Sequence, residues 1–230
     1  AGDKRDCWFE AEPVQPPIPH TPQLDAIPED QLEQAQLGLP MLDVDIVLIT
    51  FNQHELEQTL RCFCPNAPAV QMEGHNRVYY QLGKHGGQNL VLIHSRQATL
   101  GAMKSAEIAI EVFHPNAVIA LGIAFGINSG KQQIGEVLIS ESITTYELAR
   151  INKDGSITSR GPRPPASKNL RDWFHQLDAY LNASNSAEYA KRYIGSMFSG
   201  DKLIDNENYR DQLLKIDPEA IGGEMEGSGI

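Results

Sequence analysis

One nearly uninterrupted apolar run, Val44–Thr50, constrains the fold of this chain most strongly. A strand with one solvated face alternates polar and apolar residues, whereas a strand that is covered on both faces is apolar along its length. Helices must then lie on both sides of the sheet that contains this strand. We therefore predict an α/β protein in which strands and helices alternate along the chain.

The sequence after this run continues the alternation. Helices are predicted at His54–Phe63, Thr99–Phe113, Leu170–Leu181 and Asn206–Leu214. Further strands are predicted at Val78–Leu82, Leu90–His94, Ala117–Leu121, Glu136–Ser140, Tyr193–Phe198 and Ala220–Gly223. The glycines between the first two of these strands indicate a hairpin.

Two of the predicted helices carry apolar residues at helical spacing, and we expect those residues to face the core. Thr99 is predicted to cap the first of these helices. Its apolar stripe comprises Leu100, Met103, Ala106, Ile110 and Phe113. In the other helix the inward-facing residues are Trp173, Leu177 and Leu181.

Charge and cysteine content exclude several classes of protein. A net charge of −11 argues against a duplex nucleic-acid binder, because such proteins neutralise phosphates with a basic surface. Cys7, Cys62 and Cys64 form no paired framework, and no histidines complete a zinc site around them. No apolar run is long enough to span a membrane. We expect a cytoplasmic protein that binds neither metal nor membrane.

Residues 1–40 differ in composition from the rest of the chain. They hold seven of the 14 prolines, and eight acidic residues against two basic ones. This composition favours a polyproline II spacer or a partner ligand; the alternative is an ordinary connector within a larger protein. The start at Ala1 without a methionine fits a fragment. We expect one folded domain at residues 41–230.

The end of the chain carries the pattern with the most specific chemistry. An apolar run that begins at Ile221 ends in Glu224, Met225 and Glu226. Carboxylates accept hydrogen bonds from the vicinal hydroxyls of a ribose, and a thioether packs against the face of the sugar. The alternative interpretation is a solvated acidic turn between a strand and a helix.

Glu224–Gly227 resembles the ribose-binding signature of the nucleoside phosphorylase and nucleosidase superfamily, especially that of its methylthioadenosine/adenosylhomocysteine nucleosidase branch. Residues 116–126, 134–140 and 199–204 resemble, in the family's order, its central strand and glycine turn, its following strand and its purine-framing segment. The resemblance covers the chain from about Asp43 to the end.

This resemblance implies a three-layer α/β/α phosphorylase fold around a central mixed, partly barrel-like sheet. It also implies cleavage of the N-ribosidic bond of an adenine nucleoside or nucleotide, without a metal or an organic cofactor. Family members usually form homo-oligomers. Nucleosidase domains of this type also occur fused to other domains in multidomain defence proteins, a setting that suits residues 1–40 as a linker.

The family pattern assigns roles to individual residues. Glu226, and secondarily Glu224, accept hydrogen bonds from the ribose hydroxyls, while Met225 packs on the sugar. The residues implied to contact the purine are Leu203, Ile204 and Phe125. For the two aliphatic residues the alternative is an ordinary place in the core. The aromatic ring either stacks on adenine or fills the pocket.

Two substitutions in the glycine turn favour hydrolysis over phosphorolysis. Phosphorolytic relatives hold phosphate with an arginine and a serine where this chain has Ala120 and Ile123. Water is then the nucleophile, and the resemblance implies Glu55 as the base that activates it, with His54 as the rival. The purine-protonating aspartate of this branch falls after Ile230. The chain is therefore either a piece of a longer protein or a weak catalyst.

Basic residues offer candidate phosphate ligands, although a solvated loop is the alternative. They are Arg96, which follows a predicted strand, and Arg150, Arg160 and Arg163 in a basic loop. If these residues reach the 5′ position of the ribose, the substrate is a nucleotide. Two other functions remain open: a phosphorylase, and a sensor module whose degenerate pocket binds nucleoside without cleaving it.

Overall fold

The computed structural model describes residues 43–230 except 67, 76, 129, 148, 154–156, 184–188, 203 and 205. The predicted segment 1–40 and the predicted purine contact Leu203 lie outside the described residues. The described elements are, in chain order, β1 (Ile46–Thr50), α1 (Gln53–Phe63), β2 (Val70–Gly74), β3 (Arg77–His85), β4 (Gln88–His94), α2 (Thr99–Phe113), β5 (Ala117–Ala120), β6 (Phe125–Gly126), β7 (Val137–Thr145), β8 (Ala149–Ile151), β9 (Ile157–Ser159), α3 (Lys168–Ala183), β10 (Arg192–Ser199), α4 (Glu207–Ile216), β11 (Gly222–Glu224) and a 3₁₀ turn (Gly227–Gly229).

Every helix and strand that the sequence predicts is present, with shifted ends. Four strands were missed: β2, β6, β8 and β9. Three of them have only two or three residues, which is too short for a periodic pattern, and β2 is largely exposed. The predicted alternation of helices and strands is therefore confirmed for the longer elements.

The apolar run at the start of the domain forms β1, an inner strand of a five-stranded sheet with the order β2-β3-β4-β1-β5. β1 is parallel to both neighbours, with Ile49 beside Ile93 on one side and Ala120 on the other. The predicted hairpin is also present, because β3 runs antiparallel to β4. Gly86 and Gly87 have positive φ angles at its turn, a conformation that favours glycine.

Both faces of β1 and β4 are buried, which explains why these strands are apolar along their length. One face packs against α2 through Val47, Ile49, Val91, Ile93 and Ala109. The opposite face packs against α1 through Leu48, Leu92 and Leu56. Burial of each large aliphatic side chain stabilises the fold by about 1.5–3 kcal/mol.

A second sheet of four strands has the order β6-β11-β10-β7. β10 is parallel to β7 and β11, so that Thr145, Ser199 and Glu224 lie side by side at the carboxyl ends of their strands. Phe198 on β10 and Leu213 on α4 are buried in one cluster beneath this sheet. The sheet thereby brings the end of the described chain to the same edge as the segment that follows β10.

Three residues of the apolar stripe predicted for α2 do not face the core as predicted. Leu100, Met103 and Ile110 are 58%, 41% and 56% exposed, and only Ala106 and Phe113 of the stripe are buried. The other buried residues of α2 are small, namely Ala102, Ser105 and Ala109. Small side chains allow a helix to approach a sheet closely, so the larger apolar residues remain outside. The N-cap position is occupied by Ala98, not by Thr99 as predicted.

The inward face predicted for α3 is also wrong. Trp173 and Leu177 are 62% and 45% exposed, whereas Leu181 is half-buried. Polar contacts attach α3 instead. His175 Nε2 lies 2.8 Å from Glu141 on β7, and Arg192 on β10 donates from Nε to Asp178 at 2.7 Å. The half-buried residues of α3 include Phe174, Asp178 and Leu181, so the helix faces the sheet with these residues and leaves Trp173 and Leu177 outside.

No helix in the described part of the chain is both long and apolar enough to cross a membrane. Over those same residues, His, Cys, Asp and Glu form no group of three or more that could hold a metal ion. Cys62 is exposed and Cys64 is half-buried, and both are free thiols.

Replacement of Ala109 by leucine tests which face of α2 is buried. Ala109 is fully buried against the sheet, so the added methylenes should lower the free energy of unfolding by about 1–3 kcal/mol. Ile110→Ala is the matched control, because Ile110 is largely exposed and its truncation should change stability by about 0.5 kcal/mol or less. Urea unfolding measures both values. A larger loss for Ile110→Ala would support the stripe that the sequence predicts.

Candidate active site

Two glutamates accept hydrogen bonds from backbone N–H groups at the carboxyl ends of the parallel strands. Glu55, at the start of α1 in the first layer, accepts from the N–H of Ile123, which follows β5. Glu226, which follows β11 of the second sheet, accepts from the N–H of Ala98, which follows β4 of the first sheet. Open α/β sheets bind their ligands at the carboxyl ends of strands. This edge is therefore the candidate active site.

Three backbone N–H groups hold the Glu55 carboxylate. Asn52 caps α1, and Glu55 completes the capping box because its Oε2 accepts from the N–H groups of Phe51 at 2.8 Å and Asn52 at 3.1 Å. Oε1 accepts from Ile123 at 2.9 Å. A carboxylate oxygen has two acceptor positions, so Oε1 retains one that a water molecule can occupy.

Gly122 permits this approach of the glycine turn to Glu55. A Cβ atom at position 122 would lie 3.1 Å from Glu55 Oε1, which is closer than a comfortable contact. The absence of a side chain therefore leaves room for the carboxylate beside the turn. The neighbouring His54, the rival base, is exposed on the first turn of α1.

The Glu226 carboxyl is buried, with 9% of the residue exposed. Its Oε1 accepts from Ala98 N at 3.2 Å. Burial raises the pKa of the Glu226 carboxyl, and the negative charges of Glu224 and Glu55 raise it further, while the N–H groups of Ala98 and Met225 oppose the shift. Because β1 and β4 are adjacent parallel strands, the segment after β1 that carries Glu55 and the segment after β4 that contacts Glu226 lie at the same edge of the first sheet.

The amino terminus of α2 connects the parts of the site. Ala98 has φ 75° and ψ 160°, a conformation that is normally confined to glycine, and its N–H points at Glu226. Thr99 donates from its N–H and its Oγ1 to Asp201 Oδ1, at 3.0 Å and 2.8 Å. Its Oγ1 also lies 3.0 Å from Ser228 Oγ. One helix end thus holds both the segment after β10 and the segment after β11.

Sequence reasoning missed Asp201 and Thr99 as parts of the site. Asp201 lies inside the segment 199–204 that resembles the family, so that resemblance was a usable signal for it. Nothing in the local sequence indicates that its partner lies 102 residues away on α2. A cap that is supplied by a distant side chain is visible only in three dimensions.

Tyr146 holds the segment implied to frame the purine. Its buried hydroxyl lies 3.0 Å from the carbonyl oxygens of both Gly200 and Lys202, to which it donates. Lys202 also forms an ion pair with Glu147. Ile204, the predicted purine contact in this segment, is half-buried against the cluster that contains Tyr146. The backbone that precedes Leu203 is therefore bound to Tyr146, which directly follows β7.

Phe125 lies on β6 opposite Gly223 of β11. A Cβ atom at position 223 would lie 2.4 Å from the Cζ atom of the Phe125 ring, so the ring lies directly over this glycine. Phe125 and Ile204 pack against the same buried cluster. This placement is compatible with either predicted role of the aromatic ring.

The candidate phosphate ligands are divided between two places. Arg96 is exposed and lies between β4 and α2, close to the helix end that contacts Glu226. Arg150 is exposed on the β8–β9 hairpin, and Arg160 is exposed just after it. Arg163 donates to the carbonyl oxygen of Ile216 at the carboxyl end of α4, at 2.9 Å. The role of these residues stays a prediction.

This fold, with carboxylates at the carboxyl ends of its parallel strands, defines an α/β protein with a candidate ligand site at that edge, and comparison with known sequences identifies the family. The family model of the phosphorylase superfamily matches residues 45–230. The chain therefore belongs to the phosphorylase superfamily, as its resemblance predicted.

Two curated relatives illustrate the sequence similarity. The chain is 27% identical over 214 residues to the death domain-containing ATP nucleosidase of Amphimedon queenslandica. This alignment covers 81% of this chain and 39% of that protein. It is 28% identical over 152 residues to the 5′-methylthioadenosine/S-adenosylhomocysteine nucleosidase of Haemophilus influenzae (strain PittEE), which covers 64% of this chain and 62% of that protein. The matched part thus spans about two fifths and three fifths of these relatives.

Solved structures confirm the fold. The 5′-methylthioadenosine/S-adenosylhomocysteine nucleosidase of Campylobacter jejuni aligns with a TM-score of 0.62 and 22% identity, over 81% of this chain and 77% of that one. A mutant of the Helicobacter pylori enzyme, with 5′-methylthioadenosine in its active site, aligns with a TM-score of 0.64 and 14% identity, over 82% and 78% of the two chains. The predicted phosphorylase-type α/β fold with mixed sheets is therefore correct.

The raised pKa of Glu226 predicts a pH-dependent stability difference between the wild type and Glu226→Gln. The folded state retains the Glu226 proton more tightly than the unfolded state, so ionisation destabilises the fold as pH rises from the ordinary carboxyl range through the raised pKa. Glutamine does not ionise, so the Glu226→Gln variant does not lose stability in this way. The free energy of unfolding of the variant relative to that of the wild type should increase between about pH 4 and about pH 7, as measured by urea unfolding.

The control is Glu219→Gln, because Glu219 is exposed. Its stability difference from the wild type should stay nearly constant over the same pH range. A Glu226→Gln difference that is equally constant would contradict the raised pKa.

Proposed function

We propose that this domain hydrolyses the N-ribosidic bond of an adenine nucleoside or nucleotide and releases free adenine. The observation that carries this proposal is a pair of carboxylates at the carboxyl ends of the strands. Glu55 follows a strand of the first sheet, and Glu226 follows a strand of the second sheet and contacts the first. Such a site can hold a ribose with one carboxylate while the other activates water. The names of the two curated relatives, both nucleosidases, support the same reaction class.

Ribose binding is assigned to Glu226 and Met225. Glu226 Oε1 already accepts from Ala98, which orients the carboxylate while leaving acceptor positions for the vicinal hydroxyls. Met225 is half-buried beside it and supplies an apolar contact for the sugar face. Because the site is buried, a hydroxyl that lost its acceptor would be left unpaired, which disfavours binding.

In the proposed reaction, Glu55 Oε1 takes a proton from the attacking water as the new C1′–O bond forms and the bond from C1′ to the purine nitrogen breaks. The departing purine takes the bonding electron pair and needs a proton. The family pattern places the acid that supplies this proton after Ile230, and that assignment remains a prediction. The three N–H donors to Glu55 hold its carboxylate in one orientation beside the glycine turn, which is the positioning that a base requires.

Water is favoured over phosphate as the nucleophile by the glycine turn. Ile123 turns its N–H toward Glu55, and its aliphatic side chain is 66% exposed. Ala120 lies at the end of β5 with a methyl side chain. Neither side chain can bind an oxyanion, so the two phosphate ligands of phosphorolytic relatives have no counterpart at these positions.

The substrate and setting are proposed from the remaining contacts. Leu203, Ile204 and Phe125 are proposed to contact the purine, and Arg96, which lies by the site, is the stronger candidate for a 5′-phosphate. Similarity to a protein named as an ATP nucleosidase supports a nucleotide substrate. We also propose a cytoplasmic homo-oligomer in which residues 1–40 link this domain to others, since that relative is named for a further domain.

Adenine release tests the reaction. Adenosine, methylthioadenosine, AMP and ATP are incubated with this chain, and with a form extended by the residues that the family pattern places after Ile230, in the presence and absence of phosphate. Phosphate-independent release is expected, and dependence on phosphate would indicate a phosphorylase. Recovery of intact nucleoside that nevertheless binds to both forms would indicate a sensor module.

Glu226→Ala tests the ribose assignment. Loss of a buried hydrogen-bond acceptor should weaken nucleoside binding by about 1–3 kcal/mol, or roughly 5- to 150-fold, with the fold retained. Calorimetric titration with an adenine C-nucleoside measures binding without cleavage. Glu219→Ala is the matched control, since Glu219 is exposed. Unchanged binding by Glu226→Ala would rule out the ribose assignment.

A further inference from the structure

The geometry points to Glu224 as a positioning residue that holds the backbone turn beneath Glu226, rather than as the second ribose ligand that the family pattern implies. This inference rests on the proposed function of Glu226. It concerns which of two neighbouring carboxylates meets the sugar and which one shapes the site.

One carboxylate oxygen of Glu224 is occupied by backbone groups. Glu224 Oε2 accepts from the N–H of Glu226 at 2.7 Å and from the N–H of Gly227 at 2.5 Å. An oxygen that accepts two hydrogen bonds has no further good acceptor position. These two bonds cap the start of the 3₁₀ turn Gly227–Gly229, in the way that an acidic side chain caps a helix.

The other oxygen is not accessible to a sugar. Glu224 Oε1 is buried, and within the described part of the chain it has no hydrogen-bond partner. A Cβ atom at position 227 would lie 2.7 Å from this oxygen and 3.0 Å from Ile143 Cδ1. Oε1 is therefore packed against Gly227, on the side of β7. A ribose hydroxyl could reach it only if the turn opened.

Glu224 can instead act on the ligand through Glu226. The two capped N–H groups belong to Glu226 itself and to the residue after it, so they fix the backbone from which the Glu226 side chain leaves. That side chain must reach Ala98 N on α2 and remain available to the sugar. Without the two hydrogen bonds to Glu224, the backbone of the turn becomes more mobile, and the Glu226 carboxylate is no longer held in one orientation.

Charge adds a second connection between these residues. The charged groups that raise the pKa of Glu226 are Glu224 from its own strand and Glu55 from α1, while Asp201 faces the same helix end and accepts from Thr99. Removal of the Glu224 charge therefore lowers the pKa of Glu226. Its ionised form, the form that accepts from the ribose, then persists to lower pH.

Two variants of Glu224 separate the positioning role from direct binding. Glu224→Gln keeps an acceptor oxygen for the two N–H groups, whereas Glu224→Ala removes it. Hydrogen exchange of the Glu226 and Gly227 amides, measured by NMR without ligand, should be nearly unchanged in Glu224→Gln and about tenfold faster or more in Glu224→Ala. Equal protection of both amides in Glu224→Ala would overturn the inference, whatever the protein binds.

Binding of an adenine C-nucleoside supplies the second test. Glu224→Ala should lose about tenfold in affinity, while Glu224→Gln stays within about threefold of the wild type and keeps its affinity to lower pH. In a Glu226→Ala background, Glu224→Ala should cause no further loss, because its effect passes through Glu226. A further tenfold loss in that background would show that Glu224 contacts the ligand itself.

The two experiments also separate this inference from the proposed function. A wild-type chain that fails to bind the C-nucleoside contradicts the proposed function, and amide exchange then decides the role of Glu224 alone. Circular dichroism of each variant checks that the fold is retained.

Discussion

The site depends on one kind of interaction, the hydrogen bond that a backbone N–H group near a distant strand end donates to a carboxylate. Glu55 makes this contact with the turn after β5, and Glu226 makes it with Ala98 at the start of α2. Each bond crosses between segments that the fold brings together by their carboxyl ends. Charge-assisted hydrogen bonds of this kind are stronger than neutral ones, so they fix both the backbone and the carboxylates.

These contacts explain how a partly buried site can contain three acidic residues, namely Glu55, Glu224 and Glu226. Burial of an unpaired carboxylate is unfavourable, and like charges at short range add to the cost. The backbone N–H groups offset this cost, most fully at Glu55, whose two oxygens accept three hydrogen bonds. Glu226 is more buried and its Oε1 accepts from one N–H group, and burial raises the pKa of its carboxyl. Different surroundings thereby suit the two carboxylates to different roles.

The sequence predicted the central strands of the first sheet because burial on both faces produces a local signal. The apolar run of β1 and the glycines of the β3–β4 turn both carry their structural meaning within a few residues. The packed face of α2 could not be predicted in the same way. Hydrophobic periodicity selects the largest apolar residues, whereas close packing on the sheet selects Ala102 and Ala109.

The candidate site was predicted only in part for a related reason. Glu55, Met225 and Glu226 stand in short motifs that resemble a family, so they were named from the sequence. Asp201 and Thr99 make their contact across 102 residues, and no local pattern encodes it. The two backbone bonds of Glu224 are local, but a carboxylate next to a ribose motif suggests a ligand before it suggests a cap.

The position of Gly229 has a consequence for the order in which this protein folds. A Cβ atom there would lie 2.3 Å from the carbonyl oxygen of Thr99, so the last turn of the described chain sits against the backbone of α2. Contacts between such distant parts of a chain form slowly, because a long loop must close first. We therefore expect the turn to dock after α2 has packed on its sheet. The residues proposed to bind ribose are then expected to reach their places late in folding, after both sheets have formed.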